Sequence, residues 1–278
     1  KRITDFFTNT QLFGFTGTPI FAENSATNEH GKRTTADLFD KCLHKYLIAD
    51  AIEDRNVLPF KIDYVGRYTD KTESKSFVDM EVQGIDVAEL MNSEGRMQQI
   101  KRYVVNRHGL YTKGNKYTSV FACSSIDNLC RYYEMFRADE GRRDMGLSIA
   151  AVFSFGANDE FKDDDGSGNA RQNSERLDEY VKDYNKTFGT SFKLREQFGF
   201  DKYNRDVSKR VKNGNIDILF VVNMYLTGFD SKKLNTLYVD KNLRQHGLIQ
   251  AFSRTNRVQT NTKPYGNIVC FRNIKSEV

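Results

Sequence analysis

Short apolar runs that alternate with helical segments constrain this chain more than any other feature of its sequence. Tyr117–Cys123, Leu147–Ser154, Ile216–Val222, Asn235–Asp240 and Gly266–Arg272 read as strands. Helical patterns fall between or beside them at Glu94–Asn106, at Ser125–Phe136 with Ser125 as the cap, at about 174–188 and at about 201–213. Strands that are apolar throughout, separated by helices, predict an α/β fold with a largely parallel sheet. In such sheets the loops leaving the strands' C-terminal ends build the binding site. That rule selects the loops after Phe15, Cys123, Val222 and Asp240.

The flanking regions are less regular. Gln11–Pro19 reads as a short buried strand ending in a Thr16-Gly17-Thr18-Pro19 turn, Thr35–Asp54 as helical, and Asn56–Val65 as extended, with a domain joint near 45–58. Residues 66–92 are polar, and Gly156–Asn173 has the composition of a mobile acidic loop. The dense opening suggests a piece cut from a longer chain. A formal charge of +5 permits a phosphate-rich partner without demanding one. No apolar run reaches the roughly 18 residues of a membrane span, and no signal peptide opens the chain, so a cytoplasmic protein with no membrane role is expected. The four cysteines lack metal or disulfide spacing and read as reduced packing residues, and the four histidines are scattered.

Two stretches carry chemistry. Read as one helix, Gly247–Arg257 places Gln250, Ser253, Arg254 and Arg257 on one face, with Leu248, Ile249, Ala251 and Phe252 opposite. Paired guanidinium forks suit phosphate oxygens, although the same spacing describes a solvated basic face. Asn223–Asp230 is a glycine-bearing loop in which Thr227 and Asp230 could meet a phosphate and a ribose or metal-bound water; it also reads as a simple turn.

The order of these parts resembles the second half of a superfamily 2 helicase-like motor, and more closely the motor (HsdR) subunit of type I restriction enzymes. Phe13–Pro19 is similar to that family's motif III, Val120–Ser125 to motif IV, Leu226–Asp230 to motif V and Gln250–Arg257 to motif VI, with serine where many members have glycine before the first arginine. The resemblance covers nearly the whole chain. It implies a RecA-like three-layer fold, with residues 1–47 as the tail of a first lobe and 48–278 as the second. It further implies Arg257 as an arginine finger, Arg254 as a second γ-phosphate contact, and Gln250, Gly228 and Asp230 in the nucleotide cleft. Thr227 and Ser124 would serve DNA binding or coupling, and Thr16 and Thr18 would couple the lobes. The implied cofactors are ATP and Mg2+. The implied partners are double-stranded DNA, the first lobe, and the specificity and methylation subunits.

Some parts of such a motor are missing. The sequence contains no Gly-x-x-x-x-Gly-Lys-Ser/Thr phosphate loop and no Asp-Glu-x-His box, so the chain is not expected to hydrolyse ATP by itself. Asp63 with Glu73 and Lys75 satisfies a loose nuclease pattern, as chance matches in a charged chain also do. Lys101, Arg102, Arg107, Lys113, Arg131, Arg137, Arg142 and Arg143 offer phosphate contacts or merely solvated helix surface. Two other functions fit the same residues: a stand-alone superfamily 2 helicase or repair translocase, and a non-catalytic nucleic-acid-binding RecA-like module.

Overall fold

The computed structural model describes residues 11–17, 19–21, 27–28, 31–32, 34–39, 41–65, 90–154, 170–259, 262–272 and 274. The chain divides into two compact units, Lys1–Asp54 and Arg55–Val278.

In the first unit, β1 (Thr27–Asn28) and β2 (Gly31–Lys32) form a short antiparallel pair. A 3-10 turn over Thr35–Asp37 and helix α1 (Ile48–Glu53) follow. Thr35 and Ile20 exchange hydrogen bonds of 2.8 Å, the Thr35 amide to the Ile20 carbonyl and the Ile20 amide to Thr35 Oγ1. Two expectations fail here. Residues 11–16 form no strand, and Phe15 is 99% exposed. A strand needs a ladder partner, and among the described residues of this unit only β1 and β2 pair. The single helix expected over Thr35–Asp54 is likewise broken, because residues 41–47 are irregular and only its last part is α-helical.

The second unit is built on a six-stranded sheet of β3 (Phe60–Tyr64), β4 (Thr118–Cys123), β5 (Ile149–Val152), β6 (Ile218–Val221), β7 (Leu234–Asp240) and β8 (Gly266–Cys270). The order is β3-β8-β7-β4-β6-β5 and every pairing is parallel. Every residue of β4 to β8 is buried, which explains why these strands are mostly apolar, with a few buried polar residues such as Ser119, Asn235 and Asn267.

Helices α2 (Glu94–Tyr111) and α3 (Ile126–Ala138) pack on one face, where Phe121 meets Tyr132 at 4.8 Å and Tyr103 meets Phe271 at 5.9 Å. Register places Phe60, Ile268, Leu237 and Val120 on the opposite face, and there Phe252 of α7 (Gln245–Phe252) meets Phe60 edge-on at 6.0 Å. Helices on both faces of the sheet complete the expected RecA-like three layers. The short α4 (Glu140–Asp144), α5 (Ala170–Phe188) and α6 (Gly199–Asn213) finish the set. The expected acidic loop lies mostly outside the described residues, but from Ala170 onward it is helical.

Ser125 caps α3 by accepting from the Asn128 amide at 3.1 Å, as its sequence position predicts. Helix α6 ends at Gly214, whose φ of 82° suits the left-handed cap.

Candidate functional site

Strands β6 and β7 both run parallel to β4, so the chain leaving Val221 at one edge of the sheet must return to the other edge before Leu234. It does so without a helix. Side chains fix this connection along its length. Lys241 Nζ donates to Asn223 Oδ1 at 2.6 Å, and Tyr225 Oη to the Asn204 carbonyl and Oδ1 at 3.0 and 2.6 Å. Arg254 Nη1 donates to the Phe229 carbonyl at 2.9 Å, and Lys263 Nζ to the carbonyls of Lys232 and Leu234 at 3.1 and 2.7 Å. Gly228 has a φ of 69° and nothing near the position of a side chain, so the backbone angle selects glycine there.

The arginines come from the end of α7. Leu248, Ala251 and Phe252 are buried in the core, which holds the helix against the sheet. Contrary to the single helix read over Gly247–Arg257, α7 stops at Phe252. Tight turns follow, in which Arg254 and Thr255 donate to the Ala251 and Phe252 carbonyls, and the Asn256 carbonyl accepts from the Leu58 amide at 2.8 Å just before β3. Thr255 is fully buried against Gly266, where a Cβ would overlap Thr255 Oγ1. Packing against the starts of β3 and β8 therefore breaks the helix.

These contacts place Arg254, Arg257, Gly228 and Asp230 together, with Gln250 lending its carbonyl to Arg254 Nε at 2.9 Å. They sit at the N-terminal edge of the sheet, beside Leu58, Lys232 and Gly266, not at the C-terminal edge that the strand-end rule selects. The helix-free crossover carries Asp230 from one edge to the other. Thr227 is exposed midway along it, Thr16 belongs to the first unit, and Thr18 lies outside the described residues.

Arg257 Nε lies 2.8 Å from Asp230 Oδ1, yet its buried N–H finds no acceptor in hydrogen-bond geometry, so the contact is one of charge alone. With the carboxylate 67% exposed, such a pair is worth little and is easily exchanged. Burial, and then the charge of Arg257, draws Arg254 below the usual arginine range. The same two causes bring the buried Lys263 down to about 7. Two guanidiniums thus share one carboxylate, and Lys263 lies close enough to feel the charge of Arg257. Both polar atoms of the Asn256 amide and Gln259 Oε1 are also buried without partners. Such orphaned groups are costly, and their concentration at Asn256–Gln259 marks a surface whose polar partners come from elsewhere. Asn256 stood inside the motif read from sequence, whereas Lys263 and Gln259 carried no local signal.

A second network lies at the C-terminal edge. Buried Asp240 accepts from Arg96 at 2.7 and 3.0 Å, from Arg272 at 3.0 Å and from Tyr132 at 2.7 Å. Burial raises its pKa, but the two guanidiniums and the hydroxyl outweigh that and hold the carboxyl below its ordinary range. Ser124 joins this network, accepting from Arg272 at 3.3 Å and Asn128 at 2.7 Å, and so stands apart from the arginine cluster. Several candidate phosphate-binding cations are occupied internally. Lys101 pairs with Asp139 at 2.6 Å, Arg137 with Asp183 at 2.7 Å, and Arg131 and Arg142 donate to backbone carbonyls. Asp63 accepts from Tyr111 Oη at 2.9 Å, while Glu73 and Lys75 lie outside the described residues. Cys123, Cys130 and Cys270 are buried, and Cys42 is exposed.

The arginine cluster brings together guanidinium groups, a donor type suited to phosphate oxygens. It does not supply a metal site: among the described residues no group of three His, Cys, Asp or Glu side chains could hold an ion. No helix among them is long and apolar enough to cross a membrane.

Comparison with known proteins identifies relatives. Residues 115–273 match the family model for type I restriction enzyme subunit R domain 3, and residues 1–96 match that for the SWI2/SNF2 ATPase. The whole chain is 45% identical to 29% of the type I restriction enzyme SauCOLORF180P endonuclease subunit of Staphylococcus aureus. It is 26% identical, over 97% of its length, to 26% of a putative type I restriction enzyme endonuclease subunit of Methanocaldococcus jannaschii. The chain thus spans under a third of the length of these curated relatives. A fragment structure of an HsdR subunit from Vibrio vulnificus shares the fold, with a TM-score of 0.53 and 12% identity over 88% of this chain and 38% of that one.

Proposed function

Since the chain belongs to the type I restriction enzyme subunit R family, we propose that it supplies the second RecA-like lobe of an ATP-driven motor that moves double-stranded DNA before cleavage. Residues 1–47 are then the tail of the first lobe and 48–278 the second, in a cytoplasmic complex with specificity and methylation subunits. The observation that carries this reading is the gathering of Arg254 and Arg257 at Asp230, with Lys263 near Arg257 and the orphaned polar atoms of Asn256 and Gln259 beside them.

ATP with Mg2+ would supply the free energy of phosphoryl transfer, held mainly by residues outside this chain. The chain's own residues act electrostatically. Arg257 gives up its weak, exposed pairing with Asp230 to face a γ-phosphate, and a fixed cation there stabilises developing charge. Arg254, with Nε and Nη1 committed to backbone carbonyls, braces the loop that carries Gly228 and Asp230. Lys263 anchors the far end of that loop. Thr227, midway along it, is placed to contact the DNA backbone.

Replacing Arg257 with alanine in the full-length subunit tests the assignment. DNA-stimulated ATP turnover should fall by about 10³-fold or more, with the subunit still folded. Turnover at the wild-type rate would remove Arg257 from the reaction.

A further inference from the structure

Helix α6 presents a second basic surface. Lys202, Arg205, Lys209 and Lys212 are all exposed and follow one another at spacings of three, four and three residues, while Tyr203, Val207 and Val211 are buried on the opposite side. The four cations therefore form one stripe along the helix. The acids of the same helix offset it only in part: the Asp206 carboxylate feels the charge of Lys209 but is committed to other partners. Asp206 is held by Arg210 at 2.8 Å and by Tyr184 at 2.7 Å, and among the described residues neither Asp201 nor any other carboxylate pairs with a member of the stripe. Lys212 Nζ lies 5.5 Å from the centre of the Phe229 ring, which ties the stripe to the β6–β7 crossover.

Beside the stripe runs a shallow groove with Asn204, Arg205 and Ser208 on one wall and Thr227 and Phe229 on the other. From Lys202 to Lys212 the helix advances about 15 Å, at 1.5 Å per residue. One strand of a duplex presents a phosphate about every 3.4 Å along its axis, or roughly four over that length. A stripe of four exposed cations, beside a groove that adds Asn204, Ser208 and Thr227 to the apolar Met224 and Phe229, thus suits a phosphate backbone in charge and spans the axial rise of several phosphates.

We propose that the Lys202–Lys212 face of α6 and its groove bind the phosphate backbone of double-stranded DNA, on the same track as Thr227. This rests on the motor reading given above, and assigns the track to a helix outside the helicase-like motifs.

The test measures binding of the full-length subunit to a non-specific duplex at several salt concentrations. Three proteins are compared: wild type, the fourfold variant K202Q/R205Q/K209Q/K212Q, and the charge-conserving K202R/R205K/K209R/K212R. Each lost phosphate contact lowers the salt slope of log affinity by about one. The glutamine variant should therefore lose about three or more from the slope, and the charge-conserving variant should keep the wild-type value. All four side chains are exposed, so thermal melting should show unchanged folding. An unchanged slope in the glutamine variant would overturn the proposal. So would loss of subunit assembly with intact DNA binding, which would make the stripe a protein-docking face. If the wild type itself bound no duplex, the motor reading would fail first, and the two failures would be distinguishable.

Discussion

At the level of single residues, Asp240 holds together more of the second unit than its one charge suggests. Its two oxygens accept from α2 through Arg96, from α3 through Tyr132 and from the end of β8 through Arg272. Arg272 extends the network to Ser124. Replacing Asp240 with alanine would remove the carboxylate that pairs with two largely buried guanidiniums, and should cost about 3–5 kcal/mol in denaturant unfolding. The pH dependence follows from the depressed carboxyl. Stability from Asp240 is fully present above the ordinary carboxylate range, near 3.9, and is lost as pH falls through its lower folded value. Asp240→Asn should therefore show a shallower loss of stability on acidification than wild type, measured by thermal melts across that range. His108, whose burial brings it down to about 4, sharpens the acid limb of both proteins equally.

At the level of elements, the Ser125 cap and the strands of the parallel sheet were legible in the local sequence, whereas the strand expected at Gln11–Pro19 was not formed. Substitution of Ser125 by alanine removes the acceptor for the Asn128 amide and should lower stability by about 1 kcal/mol in the same unfolding measurement. The parallel sheet was legible because strands buried on both faces tolerate few polar residues. The end of α7 was not. Residues 253–257 continue a helical pattern, but the fit of Thr255 against Gly266 and the bond from Leu58 to Asn256 are contacts between segments far apart in sequence, and they override local preference. The crossover from β6 misled in another way. A glycine-bearing loop after a strand suggests a site at that strand's end, whereas twelve residues without a helix carry Asp230 across the sheet. The arginines and Asp230 were thus singled out by type and order, whereas the edge of the sheet at which they meet emerges only from tertiary structure.

At the level of the whole molecule, among the described residues the buried apolar core lies between Met97 and Ile274, and all six strands of the parallel sheet lie in the second unit. Residues 55–278 expressed alone should therefore retain a cooperative thermal transition and the circular dichroism of an α/β protein; a non-cooperative melt would show that residues 1–54 are needed for folding. The strand order has one more consequence, which concerns biogenesis. The first strand of this sheet pairs with the last: Phe60 lies beside Gly266, and Leu58 bonds to Asn256 just ahead of them. A nascent chain emerging from the ribosome holds β3 without its partner in this sheet until β8 has been synthesised, and such long-range parallel pairing forms slowly. The arginine edge depends on that closing step, so a nascent chain that stops short of β8 cannot display it.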